Sequence, residues 1–230
     1  LLRPDTFPTL ENARIILNTA AVPMIVAIGL TVTLVMNDFD LSIGGMIGLA
    51  GGLAVVLMAE HGVSPVLAVP IVLVAGIGVG LMNGVAIAYL GASSFIITLA
   101  MASVLTGAEF SATGQHTIFV GIPASFVGLG QDDWQGLRIP FIAALVLTAL
   151  LWFLLEATVL GRYMYAIGGS PETARLAGVN VRATRTIGFI ISALAATIGG
   201  MFLVSVLPTS GDPVSASRFR RGVPGVNRVS

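Results

Sequence analysis

Cysteine is absent from the 230 residues, and so is lysine. Without cysteine there is no disulfide framework, no thiol nucleophile and no thiolate metal site. Without lysine, all 11 basic residues are arginine, which reads as a composition effect. It also removes the lysine that a phosphate-cradling loop needs. Charge is scarce: 10% of residues are charged and the net charge is zero, against about 25% charged in an ordinary soluble domain. There is no basic block suited to nucleic acid. What fills the chain is oil-like sequence, 56% hydrophobic, with a mean hydropathy of +0.98. Such a chain cannot cover its surface with polar groups, so it is integral to a membrane.

A bilayer-spanning helix takes about 20 mostly apolar residues. Six runs qualify or nearly do, at about 19–36, 43–59, 65–90, 94–113, 139–157 and 187–207. Backbone groups in lipid must be satisfied within the segment, and the runs lack the alternation of barrel strands, so each is predicted helical. The fold class is all-α: one transmembrane domain over 1–230, a polytopic bundle of about six spans. The third run is long enough to tilt, kink at Pro70 or break. Gly44, Gly48 and Gly52 in the second run, and Gly76, Gly80 and Gly84 in the third, form small-residue ridges at helical spacing. Both ridges are expected to pack against other helices, because close backbone approach drives association in lipid.

Alternation puts the loops after the first, third and fifth runs on one side. That side carries Arg162, Arg175, Arg182 and Arg185. The other side carries Arg3, Arg14 and Arg138, plus Arg218, Arg220, Arg221 and Arg228 in the tail. Without the tail, the count of arginines does not orient the chain. The longer polar loop over 116–138 is expected to be external and partly ordered.

The stretch 161–185 stands apart from the oil around it. Ser170 is placed to N-cap a helix, and Pro171 suits the first helical position. Glu172 complements the positive helix end, and Gly178 can end the helix in a left-handed conformation. The spacing predicts a helix of about two turns over 171–177, outside the bilayer, between two spans. With Arg175 on its surface, it reads as the handle by which a soluble partner moves the membrane part.

Three segments together resemble the membrane subunit of bacterial ABC sugar importers of the ribose/xylose/autoinducer type. The first is Asp40-Leu41-Ser42-Ile43-Gly44 after an apolar span. The second is Asn83-Gly84, followed by Phe95-Ile96-Ile97-Thr98-Leu99. The third runs from Leu160-Gly161-Arg162-Tyr163 through Gly168-Gly169-Ser170 and Ala174 to Leu176-Ala177-Gly178-Val179-Asn180-Val181. The resemblance covers roughly 7–209. It implies a multi-pass permease subunit of the inner membrane that pairs with a second membrane subunit. It also implies two cytoplasmic ATP-binding subunits and a periplasmic solute-binding protein as partners, and a cytoplasmic coupling loop over 158–186. One span would precede Leu1. The tail over 208–230 departs from the family pattern and reads as a truncation or a frame slip.

Other polar residues have structural and functional readings side by side. Asp40 or Ser42 is placed to cap the second span; a gating role for them, or proton coupling through Asp38 and Asp40, competes with that. Asn83 suits an interhelical hydrogen bond or solute contact. Glu109, late in the fourth span, lies either at the interface or on a pathway. Asp40, Ser42, Asn83 and Glu109 are therefore the pathway or gating candidates, with the second, third and fourth spans as the expected cavity wall. His61 and His116 are isolated in loops and make no metal site. Gly76-Ile77-Gly78-Val79-Gly80 lacks the context of a nucleotide loop. No catalytic constellation, metal site or cofactor site is expected. The expected function is transport of a small polar solute, driven by a partner ATPase. An ion-coupled secondary transporter and a branched-chain amino-acid permease are the alternatives.

Overall fold

The computed structural model describes residues 9–116, 118 and 120–207. Arg3, Phe7 and the tail over 208–230, with its four arginines, lie outside the described residues. Among the described residues six helices are long and apolar enough to cross a membrane. They are α1 (Leu10–Val35), α2 (Ile43–Val55, continued by a π-helical turn over Val56–Glu60), α3 (Pro65–Leu90), α4 (Ser94–Thr113), α6 (Ile139–Ala157) and α9 (Val181–Val206). Three shorter helices also lie among the described residues: α5 (Ala124–Gln131), α7 (Val159–Gly169) and α8 (Pro171–Leu176).

Hydropathy marks only the part of a helix that sits in oil, so two spans prove longer than the apolar runs predict. Helix α1 begins at Leu10, where Thr9 caps it by accepting from the Asn12 amide at 3.2 Å. Helix α9 begins at Val181, capped by Asn180 through the Ala183 amide at 3.1 Å. Helix α3 runs unbroken through Pro70.

Helix α9 is the hub. Over half of its apolar window, 56%, is buried inside the protein, against 11% for α4. It packs on α1, α2, α3 and α5. The α3 ridge meets it as predicted. A Cβ on Gly80 would lie 2.6 Å from the Ile190 Cα, and one on Gly84 would lie 2.6 Å from the Thr186 Cα. Two backbones approach closely there because neither glycine has a side chain.

The α2 ridge behaves otherwise. Nothing lies near Gly44, while Gly48 and Gly52 face side chains of α4. The backbone contacts of α2 are made beside the ridge. Gly45 lies against Ala102 of α4, and Gly51 against Gly200 and Val204 of α9. Helix α2 sits between two neighbours, so its central ridge points into the gap between them.

The loops cluster at two ends. At one, the α1–α2 loop is held by the start of α4: the Leu41 amide donates to Thr98 Oγ1 at 3.0 Å, and the Phe39 amide to Ser94 Oγ at 3.2 Å. At the other end the described part of the polar loop over 116–138 is partly ordered, as expected. It contains α5, whose Phe126 and Val127 are buried, and a hairpin of β1 (Asp133–Trp134) and β2 (Leu137–Arg138). Gln135 and Gly136 both take positive φ at its turn. The Arg138 amide donates to Asn18 Oδ1 at 2.9 Å, fixing the hairpin to α1.

Candidate functional site

Helix α8 forms where the capping residues place it. Ser170 Oγ accepts from the Thr173 amide at 3.2 Å, Pro171 opens the helix, and Gly178 beyond its end has φ +87°. The helix stops one residue short of the predicted 177, with Ala177 as its C-cap. Glu172 and Arg175 lie on its outer surface, 3.8 Å apart and both mostly exposed, a pairing of little energetic value in solvent. Leu176 is 82% exposed, an apolar side chain on an otherwise polar knob.

The inner face of α8 is anchored. Ala174 and Val179 pack into an apolar cluster with Val32 and Met36 of α1, Leu155 of α6, and Met164 and Ile167 of α7. Helix α7, where sequence reasoning placed only a loop, is capped by Thr158 through the Gly161 amide at 3.1 Å. It is amphipathic, with Gly161, Met164 and Ile167 inward and Arg162, Tyr163 and Tyr165 outward. The spacing of those three inward residues was the available signal. Gly161 lies on the carbonyls of Leu154 and Leu155, and Gly168 on that of Val35, so α7 lies across the ends of α6 and α1.

From this knob a buried polar network runs into the bundle. Arg185, one turn into α9, donates from Nε and Nη2 to the two carboxylate oxygens of Asp38, at 2.7 and 2.6 Å. Asp40 accepts from Ser192 of α9 at 2.8 Å and from Ser42 Oγ at 2.5 Å, and Asn83 of α3 donates to Ser42 Oγ at 2.9 Å. Asp38, Asp40, Ser42, Asn83 and Ser192 are all buried, and Asn83 Oδ1 has no partner. The network joins the α1–α2 loop to α2, α3 and α9.

Neither Asp40 nor Ser42 caps α2 with its side chain, contrary to the capping reading. Ser42 occupies the cap position but has helical backbone angles, φ −72° and ψ −13°, and makes no side-chain cap bond. Asp40 Oδ1 instead accepts from the Ser42 amide at 3.1 Å. Asn83 makes an interhelical bond to Ser42, one of the two readings its sequence position allowed. The partners Arg185 and Ser192 were missed, although Asp38 and Arg185 are opposite charges bordering spans on the same side.

Glu109 is not part of this network. It lies half-buried near the other end of the bundle, on a cavity of about 400 Å³ between α2, α4 and α9. Gly48, Gly52, Thr113 and Val204 share the cavity wall. Helix α3, expected as part of a cavity wall, contributes nothing here; its glycine ridge is turned into α9. Among the described residues no group of side chains is arranged to hold a metal ion.

A family model described as "Branched-chain amino acid transport system / permease component" matches residues 12–216. The ribose import permease protein of Haemophilus influenzae is 29% identical, over 92% of this chain and 67% of its own length. The D-allose transport system permease protein of Escherichia coli is 31% identical, over 95% of this chain and 66% of its own length. The galactose/methyl galactoside import permease protein of Escherichia coli is 32% identical, over 87% of this chain and 65% of its own length. The chain thus spans about two thirds of these relatives. No solved structure matches it. With six apolar helices and a match over most of its length, this multi-pass membrane protein belongs to the family of permease components of transport systems.

Proposed function

We propose that the chain is the membrane subunit of an ABC importer in the bacterial inner membrane, passing a small neutral solute, a monosaccharide, inward. It catalyses no covalent chemistry and carries no cofactor. Its energy comes from cytoplasmic ATP-binding subunits and its solute from a periplasmic binding protein. A second permease subunit, either a copy or a relative, completes the pathway. The relatives named for ribose, allose and galactose support the sugar. The observation that carries the coupling is the outward-facing α8, capped by Ser170 and ended at Gly178, and presenting Glu172, Arg175 and Leu176. A polar helix of six residues, capped by Ser170 and anchored through Ala174 outside a membrane bundle, is a mechanical contact for a partner.

Force on α8 reaches the bundle through two routes. One is the apolar anchor of Ala174 and Val179. The other is the short link to α9, whose Arg185 and Ser192 hold the α1–α2 loop through Asp38 and Asp40. Helix α9 continues unbroken to Leu203 and Val204 at the cavity. A tilt of α9 imposed at α8 would therefore move the cavity wall, which is what alternating access requires. Asp40, Ser42 and Asn83 act as a gating joint in this reading, and Glu109 lies on the path.

The test is co-purification from detergent of the full-length protein with ATPase activity, with and without residues 171–178 replaced by a Gly/Ser linker. ATPase that accompanies the intact protein and is lost on replacement supports the reading. ATPase absent from both directs attention to ion-gradient coupling. Glu172→Arg and Arg175→Glu are expected to uncouple ATP hydrolysis from uptake. Uptake at the wild-type rate in both would remove α8 from the mechanism.

The family description raises a branched-chain amino-acid substrate as the second reading. ATP-driven uptake of L-leucine in preference to sugars would establish it.

A further inference from the structure

Glu109 lies beside two glycines of the neighbouring helix α2, Gly48 and Gly52. A Cβ on Gly48 would lie 2.5 Å from Glu109 Oε2, and one on Gly52 would lie 3.4 Å from Glu109 Cγ and 2.9 Å from Thr113 Cγ2. A side chain at Gly48 would meet the flexible end of Glu109 and displace it, and one at Gly52 would press on Thr113 Cγ2. The glycines here do not bring two backbones together, as the α3 glycines do. They leave room beside a side chain, and that room opens into the cavity of about 400 Å³, within the roughly 300–1,000 Å³ range of small-molecule sites.

The carboxylate has no hydrogen-bond or ion-pair partner among the described residues. By contrast the two buried acids among the described residues, Asp38 and Asp40, are both engaged. Glu109 is half-buried about one turn from the end of α4 and faces the cavity, a setting in which an acid of a spanning helix is a candidate for contact with what moves through.

The electrostatics of the cavity select the chemistry. Glu109 is its one carboxylate, and its described lining contains no arginine. Thr113 and Val204 lie in the last turns of α4 and α9. Those turns carry the negative end of the helix dipole and carbonyls without intrahelical donors. Besides Glu109, the described lining consists of apolar walls such as Phe110, the Thr113 hydroxyl, the Gln115 amide and the His116 ring. Such a cavity suits a solute that presents many hydroxyl donors and no negative charge. An amino acid would find a place for its ammonium at Glu109 but no guanidinium for its carboxylate.

We propose that Glu109 is the solute-recognising residue of this permease, accepting hydrogen bonds from the hydroxyls of an uncharged sugar, and that the cavity rejects anionic solutes. The proposal rests on the transport reading above, and two measurements separate them.

The first needs no transport. The full-length protein in detergent is treated with a carbodiimide, and the adduct on Glu109 is quantified by mass spectrometry. Probes are D-ribose, D-allose, L-arabinose, D-galactose and D-fructose, with D-galacturonate and L-leucine as charged comparisons. At least one neutral sugar should reduce labelling of Glu109 several-fold, while D-galacturonate and L-leucine do not. Equal labelling in all samples, or protection by L-leucine or D-galacturonate alone, would overturn the proposal.

The second is ATP-driven uptake of the protecting sugar into vesicles containing the assembled transporter. Glu109→Gln should raise KM at least ten-fold, with Glu109→Asp between it and wild type. It should also relieve the exclusion of D-galacturonate, a change that mere loss of packing would not produce. An unchanged KM in Glu109→Gln and Glu109→Ala removes the residue from recognition. Wild-type vesicles that take up no sugar with ATP, despite protected labelling, would defeat the transport reading and leave the site standing.

Discussion

Arg185 grips Asp38 with two hydrogen bonds of 2.7 and 2.6 Å, joining residues 147 positions apart. Asp38 is almost completely buried and Arg185 about three-quarters buried. The pair ties the start of α9, next to the proposed coupling helix, to the loop that feeds α2.

Removing one partner leaves the other charge buried and alone, so Arg185→Leu should destabilise the protein by roughly 3–5 kcal/mol. Removing both, as Asp38→Leu with Arg185→Leu, should cost clearly less than Arg185→Leu alone. Arg185→Lys keeps the charge but loses the two-pronged geometry and should fall between wild type and Arg185→Leu. Thermal or denaturant unfolding in detergent measures all four. A double variant no more stable than Arg185→Leu would mean the pair matters through packing and not charge.

Asn83 offers a sharper contrast within one site. Its Nδ2 donates to Ser42 Oγ, while Oδ1 is buried without a partner. Asn83→Asp would put a second carboxylate beside the Asp40–Ser42 pair, where no cation faces it. Asn83→Leu loses one hydrogen bond but also removes the unpaired oxygen, costing about 1–2 kcal/mol. Asn83→Asp should therefore be the more damaging change, lowering the melting temperature further and reducing yield. The reverse ranking would place an unrecognised donor near Oδ1.

The glycines of α3 separate packing from mere composition. Gly80→Ala would drive a methyl into the backbone of α9 at Ile190 and should cost about 1–3 kcal/mol, the usual range for overpacking. Gly78, two residues away, has nothing within 4 Å of a built Cβ. Gly78→Ala should be neutral or slightly stabilising, because alanine is the better helix former. Comparing their unfolding midpoints in the same detergent tests whether α3 and α9 are held as close as described.

On the surface of α7, the Tyr165 hydroxyl donates to Glu156 Oε1 at 2.9 Å. That hydrogen bond, then desolvation, then the nearby negative charge hold the phenol above its ordinary value of 10.0. A raised value means the contact adds its stability fully below the ordinary value and loses it as pH rises through the raised one. In a spectrophotometric titration, Glu156→Gln should bring one of the three tyrosines down toward its ordinary range. An unchanged curve would mean that Glu156 does not reach Tyr165 in solution.

Local chemistry made part of this protein legible from the chain alone. The cap at Ser170, the proline at 171 and the stop at Gly178 act over three or four residues, so α8 could be read to within one residue of its end. The six spans followed from the oil-like runs, and the loop sides from simple alternation. The family resemblance rested on short runs in order, and the permease family match over residues 12–216 together with the ribose, allose and galactose permease relatives bears it out. Helix faces were not legible in the same way. In a soluble protein the apolar stripe of a helix marks its inward face, but a membrane helix is apolar toward both lipid and core. The Gly48 and Gly76 ridges look alike in sequence, yet one edges a cavity and the other seats a neighbouring helix. Likewise Asp38, Asp40 and Glu109 are three acids in an oily chain. Only the packing of α9 against α2 and α3 decided which acids are satisfied by Arg185 and Ser192, and which one is left facing open space.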